Sequence, residues 1–256
     1  MYNVNNNIFV SEDPYEIYAL LAHKFRLDEN LTETESLFFS ELVELYNIKS
    51  LLDCGCGRGR HLFFFDRLGL RVSGCDISPS MLELSRNFLN RKQSSIKVEN
   101  CDFRLLGRVY FARFDCVICI SSLSHLENVA EVSRAFSSIR DRISQGGILI
   151  LELPGEVFGK RMQDRIRLEY SDGNLTRTVA CHPFENHTDI SVLDVLHYPA
   201  DRTYYRYDFR LLRIRDADLK ELLLKNGFSK MTSFGDYDMS KYLPLESEKL
   251  IMVAER

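Results

Sequence analysis

The chain has 256 residues, of which 45% are hydrophobic and 27% are charged, a composition typical of a globular protein. Its net charge of −4 argues against a general nucleic-acid-binding protein, which would usually be basic. No apolar run approaches the roughly 20 residues of a membrane-spanning helix, and the N-terminal segment lacks the basic and apolar regions of a signal peptide. We therefore expect a cytoplasmic protein.

The seven cysteines form no pattern typical of paired disulfides or of a zinc site. Cys116 and Cys119 lie inside the apolar run FDCVICI, where side chains three positions apart on a strand point to opposite faces. We expect reduced structural thiols and no bound metal.

The first part of the chain alternates between helices and strands. The predicted helices cover residues 14–23, 32–46, 60–68, 79–90 and 128–142, and the predicted strands cover 49–54, 71–76, 96–100, 114–120 and 148–153. This alternation predicts an α/β fold with a doubly wound parallel sheet. Ligands of such sheets bind beyond the carboxyl ends of the strands, so we expect the functional residues there.

After Pro154 the pattern changes to strands joined by short polar turns. Strands are predicted over residues 165–170, 176–181, 190–197 and 204–214, then a helix over 216–225 and strands over 228–234 and 249–254. In the strand from Tyr204, apolar and charged residues alternate, which is typical of a half-buried antiparallel strand.

The strongest local signal is the segment LLDCGCGRGR, in which Gly55, Gly57 and Gly59 lie between a predicted strand and a predicted helix. Glycines let such a turn adopt strained dihedral angles and let a ligand touch the backbone. A dinucleotide-binding fingerprint would have a glycine where Arg60 stands. Asp53 would repel a pyrophosphate but attract a cationic amine, so the loop favours a nucleoside that carries an amino acid over NAD.

Two further aspartates follow the next strands. Asp76 ends the second strand, where an acidic side chain accepts hydrogen bonds from ribose hydroxyls. Asp102 follows the third strand and is placed to accept a hydrogen bond from an adenine amino group. Aspartates in such places are also common turn residues. Three of them after consecutive strands, beside a glycine loop, together indicate a nucleoside cofactor.

These motifs resemble those of the class I S-adenosylmethionine-dependent methyltransferases, over about residues 50–153. DCGCGRG is similar to the family's first motif, CDIS to its ribose motif, CDF to its adenine motif and FDCVICISSLSHL to its fourth-strand motif. The resemblance implies a Rossmann-like seven-stranded sheet and S-adenosyl-L-methionine as the cofactor. It implies that the cofactor-binding residues are Asp53, Gly55, Cys56, Gly57, Asp76, Ile77, Met81, Asp102, Phe103, Ile120 and Ser121.

Within this class the chain is most similar to small-molecule enzymes of the glycine and deoxyaminosugar N-methyltransferase type. The segments PYEIYALLAHKF and SSLSHL and the antiparallel insertion carry this similarity. It implies Lys24 as a further cofactor-binding residue, with Arg26 as the alternative, and Tyr18 and His125 as catalytic residues. His125 would act as a general base or orient the acceptor. A structural role is the alternative for His125 and Tyr18, and it is the favoured one for Glu152.

We therefore predict one methyltransferase domain that transfers a methyl group to N or O of a small-molecule acceptor. Its parts are an N-terminal helical cap (1–47), a cofactor-binding core (48–155), an antiparallel β insertion (156–214) and a C-terminal completion of the sheet (215–256). The alternatives are a tRNA or protein methyltransferase and a catalytically silent cofactor-binding module. The insertion either covers the site or forms a homodimer interface. Its arginines, among them Arg161 and Arg165, could bind a phosphate or an RNA strand. Nearby aspartates such as Asp201 favour a solvated sheet face on which they pair with these arginines instead.

Overall fold

The structure is a computed structural model that describes residues 2–5, 7–25, 29–158, 166–171, 174–197 and 202–256. Side chains are described in the same ranges except for residues 2–5, 24–25 and 166–171. Arg26, the alternative to Lys24, lies outside the described residues, and so do Arg161, Arg165 and Asp201 of the insertion.

Six α-helices and thirteen strands are present in these ranges. The helices are α1 (Pro14–Phe25), α2 (Glu33–Leu45), α3 (Arg60–Arg67), α4 (Pro79–Arg91), α5 (Val129–Arg140) and α6 (Asp216–Lys225). The strands are β1 (Tyr2–Asn5), β2 (Ile8–Val10), β3 (Ser50–Cys54), β4 (Arg71–Asp76), β5 (Val98–Asn100), β6 (Phe114–Ile120), β7 (Ile143–Pro154), β8 (Ile166–Ser171), β9 (Leu175–Pro183), β10 (His187–His197), β11 (Arg202–Leu212), β12 (Ser229–Phe234) and β13 (Lys249–Glu255).

The larger sheet has seven strands in the order β12-β13-β7-β6-β3-β4-β5. β3, β4, β5, β6 and β7 are parallel to their neighbours, whereas β13 runs antiparallel to β7. This order confirms the predicted Rossmann-like fold. The chain crosses from one side of β3 to the other between β5 and β6, so the carboxyl ends of β3 and β6 flank the crevice where such sheets bind ligands.

Local sequence signals explain where the helices around this sheet begin. Thr32 and Glu35 form a reciprocal capping box at the start of α2. Ser78 caps α4 through the amide of Met81, with Pro79 at the first helical position. Apolar side chains of α5 and α6 pack on one face of the sheet, and those of α2 and α3 pack on the other.

The predicted insertion strands form a second sheet of six strands, in the order β1-β2-β11-β10-β9-β8. Its inner face packs against α1, where Ile17 and Leu21 contact Val192 and Tyr207 among others. Tyr207 is buried while Arg206 and Asp208 are exposed, which confirms the alternation predicted for this strand.

The strands β1 and β2 were not predicted, so the N-terminal cap is not purely helical. β2 pairs in parallel with β11, from the pair of Ile8 and Tyr204 to the pair of Val10 and Arg206. Two strands of three or four residues have little stability of their own, and they form here because a distant strand provides their partner. Within the described ranges, none of the helices combines the length and apolarity needed to cross a membrane.

Candidate active site

The glycine loop connects β3 to α3 in the strained geometry that the sequence predicted. Gly55, Gly57 and Gly59 have φ angles of 78°, 52° and 83°, in a region that residues other than glycine rarely adopt. A Cβ atom on Gly55 would lie 2.5 Å from Cβ of Ser122, so the loop also requires close backbone packing.

Asp76 ties this loop to the end of β4. Its Oδ2 accepts a hydrogen bond from the amide of Gly57 at 2.9 Å, and its Oδ1 accepts one from the amide of Ser78 at 2.9 Å. Burial raises the pKa of Asp76 although these amide hydrogen bonds oppose the shift. Each carboxylate oxygen keeps a second lone pair, so Asp76 can still accept hydrogen bonds from a ribose.

Asp102 begins a 3₁₀ helix (Phe103–Arg108) after β5 and is held by a neighbour that the sequence did not reveal. The guanidinium of Arg104 donates to both of its carboxylate oxygens at 2.6–3.0 Å and also lies 2.7 Å from Glu131. Burial raises the pKa of Asp102, but the hydrogen bonds from Arg104 outweigh this and leave it below its ordinary value.

A cavity of about 570 Å³, called the first cavity, opens beside the glycine loop. Its wall contains most of the residues predicted to hold the cofactor. These residues are Gly55, Cys56, Gly57, Asp76, Ile77, Met81, Asp102, Phe103, Ile120 and Ser121, and both predicted catalytic residues, Tyr18 and His125, join them.

Two predicted cofactor-binding residues are not seen in this wall. Lys24 lies in the last turn of α1, and its side chain is outside the described part of the chain. Asp53 is 1% exposed and lies beneath the loop. Burial, together with the nearby charge of Asp76, raises the pKa of Asp53 to about 8.

Unsatisfied polar atoms lie next to the first cavity. Oδ2 of Asp53 and Nε2 of His61 are buried with no hydrogen-bond partner among the residues that the structure describes. Burial without a partner disfavours the charged form of Asp53, which is why its pKa is raised, and an approaching cation or hydrogen-bond donor would favour the carboxylate. These atoms, together with the side-chain-free loop, fit a nucleoside that carries a cationic amino group.

Tyr18 links the first cavity to the second sheet. The guanidinium carbons of Arg58 and Arg177 lie 5.7 and 5.6 Å from the centre of its ring, within cation–π range. Arg177 forms a buried bidentate ion pair with Asp194 at 2.8 and 2.9 Å, and the hydroxyl of Tyr207 donates to Asp194. The ring is therefore held between the glycine loop and the insertion.

A second cavity, of about 270 Å³, adjoins the first and lies between the end of β7 and the inner face of β10 and β11. Tyr15, Ser121 and His125 line both cavities. The hydroxyl of Tyr15 lies 2.8 Å from Nε2 of His125. Phe209 packs on both rings, with centroids 5.4 Å from Tyr15 and 5.7 Å from His125. The junction of the cavities is thus an aromatic cluster with one polar pair.

His125 lies in a short 3₁₀ helix (Leu123–His125) after β6, and the helix that follows is capped by Asn128. The N-cap of α5 is therefore Asn128 and not His125. The imidazole is accessible through the cavities but is surrounded by protein groups, and this burial lowers the pKa of His125 to about 4. It is neutral at pH 7.

Glu152, at the end of β7, lines the second cavity. Its carboxylate accepts hydrogen bonds from the hydroxyls of Ser121 and Tyr237, the latter at 2.6 Å. Ser121 has a φ angle of 52°, which is rare for a residue with a side chain. A strained backbone at the junction of two cavities is typical of a functional site.

Sequence reasoning missed Tyr15, whose hydroxyl is the partner of His125. Tyr15 and Tyr18 are three residues apart on α1 and so share one helix face. Only the depth at which α1 packs decides which of the two rings reaches His125, and that depth depends on the second sheet.

The chain matches the family model described as "Methyltransferase domain" over residues 51–147. A glycine/sarcosine N-methyltransferase of Parasynechococcus marenigrum (strain WH8102) is 28% identical over 207 residues, which cover 80% of this chain and 72% of that protein. Two solved structures share the fold. An amino pentose methyltransferase from Micromonospora echinaspora has a TM-score of 0.73 at 19% identity, with 94% of this chain and 96% of that chain covered. A sugar N-methyltransferase from Streptoalloteichus sp. ATCC 53650 has a TM-score of 0.75 at 18% identity, with 100% and 96% covered.

The fold and the residues that line the first cavity fit a nucleoside-binding α/β enzyme. With these matches, the chain is an S-adenosylmethionine-dependent methyltransferase with the class I fold, and its methyltransferase domain spans residues 51–147. S-adenosyl-L-methionine is its cofactor. The tRNA, protein and catalytically silent alternatives are not favoured by these comparisons.

Proposed function

We propose that this enzyme methylates the nitrogen of a small-molecule amine that binds in the second cavity. The observation that carries the proposal is the Tyr15–His125 pair, which stands where the two cavities meet. S-adenosylmethionine supplies an already activated methyl group, so the main task of the protein is to hold donor and acceptor in reactive geometry. The N-methyltransferase names of the relatives support a nitrogen acceptor.

His125 and Tyr15 orient the acceptor in this proposal. If Tyr15 donates its proton to Nε2 of His125, its oxygen keeps a lone pair; if Nε2 carries the proton, the lone pair remains on Nδ1. In either tautomer the pair can accept an N–H of the acceptor. Tyr15 therefore takes the catalytic place for which Tyr18 was predicted, and Tyr18 helps to close the first cavity.

The low pKa of His125 favours an amine over an alcohol. An imidazole with a pKa of about 4 is a weak base, and removing a hydroxyl proton needs a stronger one. An amine only has to reach the site unprotonated. The apolar wall of the second cavity helps here, because desolvation lowers the pKa of an amine.

We propose the following contacts for the cofactor. Asp76 accepts hydrogen bonds from the ribose, and Asp102 and Phe103 surround the adenine. The amino group of the methionine part lies near Asp53, whose unsatisfied oxygen it would approach, and donates to the carbonyl oxygen of Ile120 or Ser121. Lys24 remains a proposed contact on the sequence resemblance alone.

The test uses labelled S-adenosylmethionine and acceptor pairs that share a skeleton but carry either an amino or a hydroxyl group. We expect methyl transfer to amines at least tenfold faster than to the matching alcohols. Equal or faster transfer to the alcohols would contradict the proposal. The Tyr15→Phe variant serves as a second readout, because it should slow the amine reaction without preventing cofactor binding.

Two further proposals concern the protein as a whole. All seven cysteines are free and buried, which supports a reducing compartment such as the cytoplasm. We also keep the proposal that the insertion takes part in a homodimer. Exposed ion pairs such as Arg210–Asp189 and Arg215–Asp218 support a solvated face rather than a nucleic-acid site.

A further inference from the structure

The second cavity has an unusual combination of walls. One side is formed by Ile190 and Phe209, which lie directly opposite each other on β10 and β11, and by Leu211. The opposite side is formed by Leu153 and Phe158. A molecule that fills the space between them places carbon atoms against both sides.

Two glutamates line this cavity: Glu248 is exposed, whereas Glu152 is half-buried in the wall. Glu152 has a donor on each oxygen, Ser121 on one and Tyr237 on the other, and each oxygen can accept one further hydrogen bond. The two donors fix the carboxylate at the end of the cavity nearest Ser121, which also lines the first cavity. A cationic or N–H-bearing group near the reacting nitrogen would be attracted there.

The positive charge at this cavity is already engaged. Among the lining side chains that the structure describes, the cation is Lys249, whose Nζ lies 2.9 Å from Asp236 and 5.0 Å from the centre of the Tyr237 ring. An acidic group on the acceptor would therefore contact the carboxylate of Glu152 and apolar carbon atoms. Among these residues, the positively charged side chain already pairs with Asp236.

We propose that the acceptor is an amine on an apolar carbon skeleton, and that Glu152 excludes molecules with an acidic group on the carbon next to the amine. The inference rests on the proposed amine acceptor and narrows it: free α-amino acids, glycine included, are rejected. Charge repulsion in a water-poor cavity gives the selectivity, since a carboxylate loses solvation and faces a second negative charge.

The test measures binding rather than turnover. The protein is saturated with S-adenosylhomocysteine, and three ligands are titrated by calorimetry: 2-methylpropan-1-amine, valinamide and valine. The three share one apolar skeleton, and valinamide matches valine in size without its negative charge. We expect the first two to bind at least tenfold more tightly than valine.

The Glu152→Gln variant isolates the carboxylate. We expect this variant to reduce the ratio of the Kd for valine to the Kd for valinamide at least fivefold. Glu83, which is exposed on α4, provides the control: Glu83→Gln should leave the preference unchanged. Retained binding of S-adenosylhomocysteine shows that each variant is folded.

The outcomes separate this inference from the proposed function. Valine binding as tightly as valinamide, or no binding of any of the three, overturns the inference. An unchanged preference in Glu152→Gln also overturns it. If the two ligands without a carboxylate bind selectively but are not methylated when S-adenosylmethionine is supplied, the acceptor preference stands and the proposed reaction fails.

Discussion

The hydroxyl of Tyr15 and Nε2 of His125 lie 2.8 Å apart although 110 positions separate the two residues in the chain. Tyr15 comes from α1, which packs on the second sheet, and His125 comes from the end of β6 in the larger sheet. The pair therefore exists only when both sheets are in place. This dependence makes the junction of the two cavities a sensitive place to test the account.

Replacing His125 should affect turnover far more than cofactor binding. We expect His125→Ala to lower kcat for the best amine by about 10²-fold, the cost of losing acceptor alignment. The Kd for S-adenosylmethionine should change less than about threefold, because the cofactor contacts proposed here lie elsewhere. Steady-state kinetics and calorimetry measure the two quantities. Equal losses in both would show that His125 has a structural role instead.

Asp76 should show the opposite behaviour. Asp76→Asn removes the negative charge that we propose accepts hydrogen bonds from the ribose, and hydrogen bonds to charged groups contribute about 1.5–3 kcal/mol. We expect the Kd for S-adenosylmethionine to rise about 10- to 100-fold. Glu83→Gln on the exposed face of α4 is the control and should bind like the wild type. An unchanged Kd for S-adenosylmethionine in Asp76→Asn would contradict the proposed contact between Asp76 and the ribose.

The buried pair of Arg177 and Asp194 should matter for stability. Asp194→Asn leaves the guanidinium buried without its counter-ion, which typically costs about 3–5 kcal/mol. The exposed pair of Arg210 and Asp189 provides the comparison, and Arg210→Met should cost less than about 1 kcal/mol. Chemical denaturation gives both values. Similar costs for the two variants would contradict the burial of the Arg177 network.

Protonation of His125 should link stability to pH. Folding lowers the pKa of His125 from 6.5 to about 4, so between these values the unfolded chain binds a proton that the folded chain does not. The free energy of unfolding should therefore fall as the pH falls from about 6.5 to 4. His125→Gln lacks this group, and its curve should be flatter than that of the wild type. Parallel curves for the two proteins would contradict a depressed pKa.

Much of the larger sheet was predictable because its signals are local. Ser78 with Pro79 marks the start of α4, and the apolar run of β6 marks a strand buried on both faces. The glycine loop and Asp76 were found for the same reason, since positive φ angles favour glycine and the acidic residue stands directly at the strand end.

The remaining features depend on contacts between distant segments. β2 forms because β11 pairs with it, and β1 forms on the other edge of β2. Arg104 pairs with Asp102 through a side-chain conformation that the spacing of the two residues in the sequence does not determine. The choice of Tyr15 over Tyr18 as the partner of His125 depends on how α1 lies between the sheets. Glu152 was expected to be structural, and its position in the wall of the second cavity is known only once β10 and β11 are placed.

The central claim is that the first cavity binds S-adenosylmethionine through a side-chain-free loop beside fixed carboxylates. Calorimetric titration of the purified wild-type protein tests it most directly, with S-adenosylmethionine in one experiment and NADH in another. The account predicts saturable binding of one S-adenosylmethionine molecule per chain and no measurable binding of NADH. Absence of binding by S-adenosylmethionine, or NADH binding of equal strength, would contradict it.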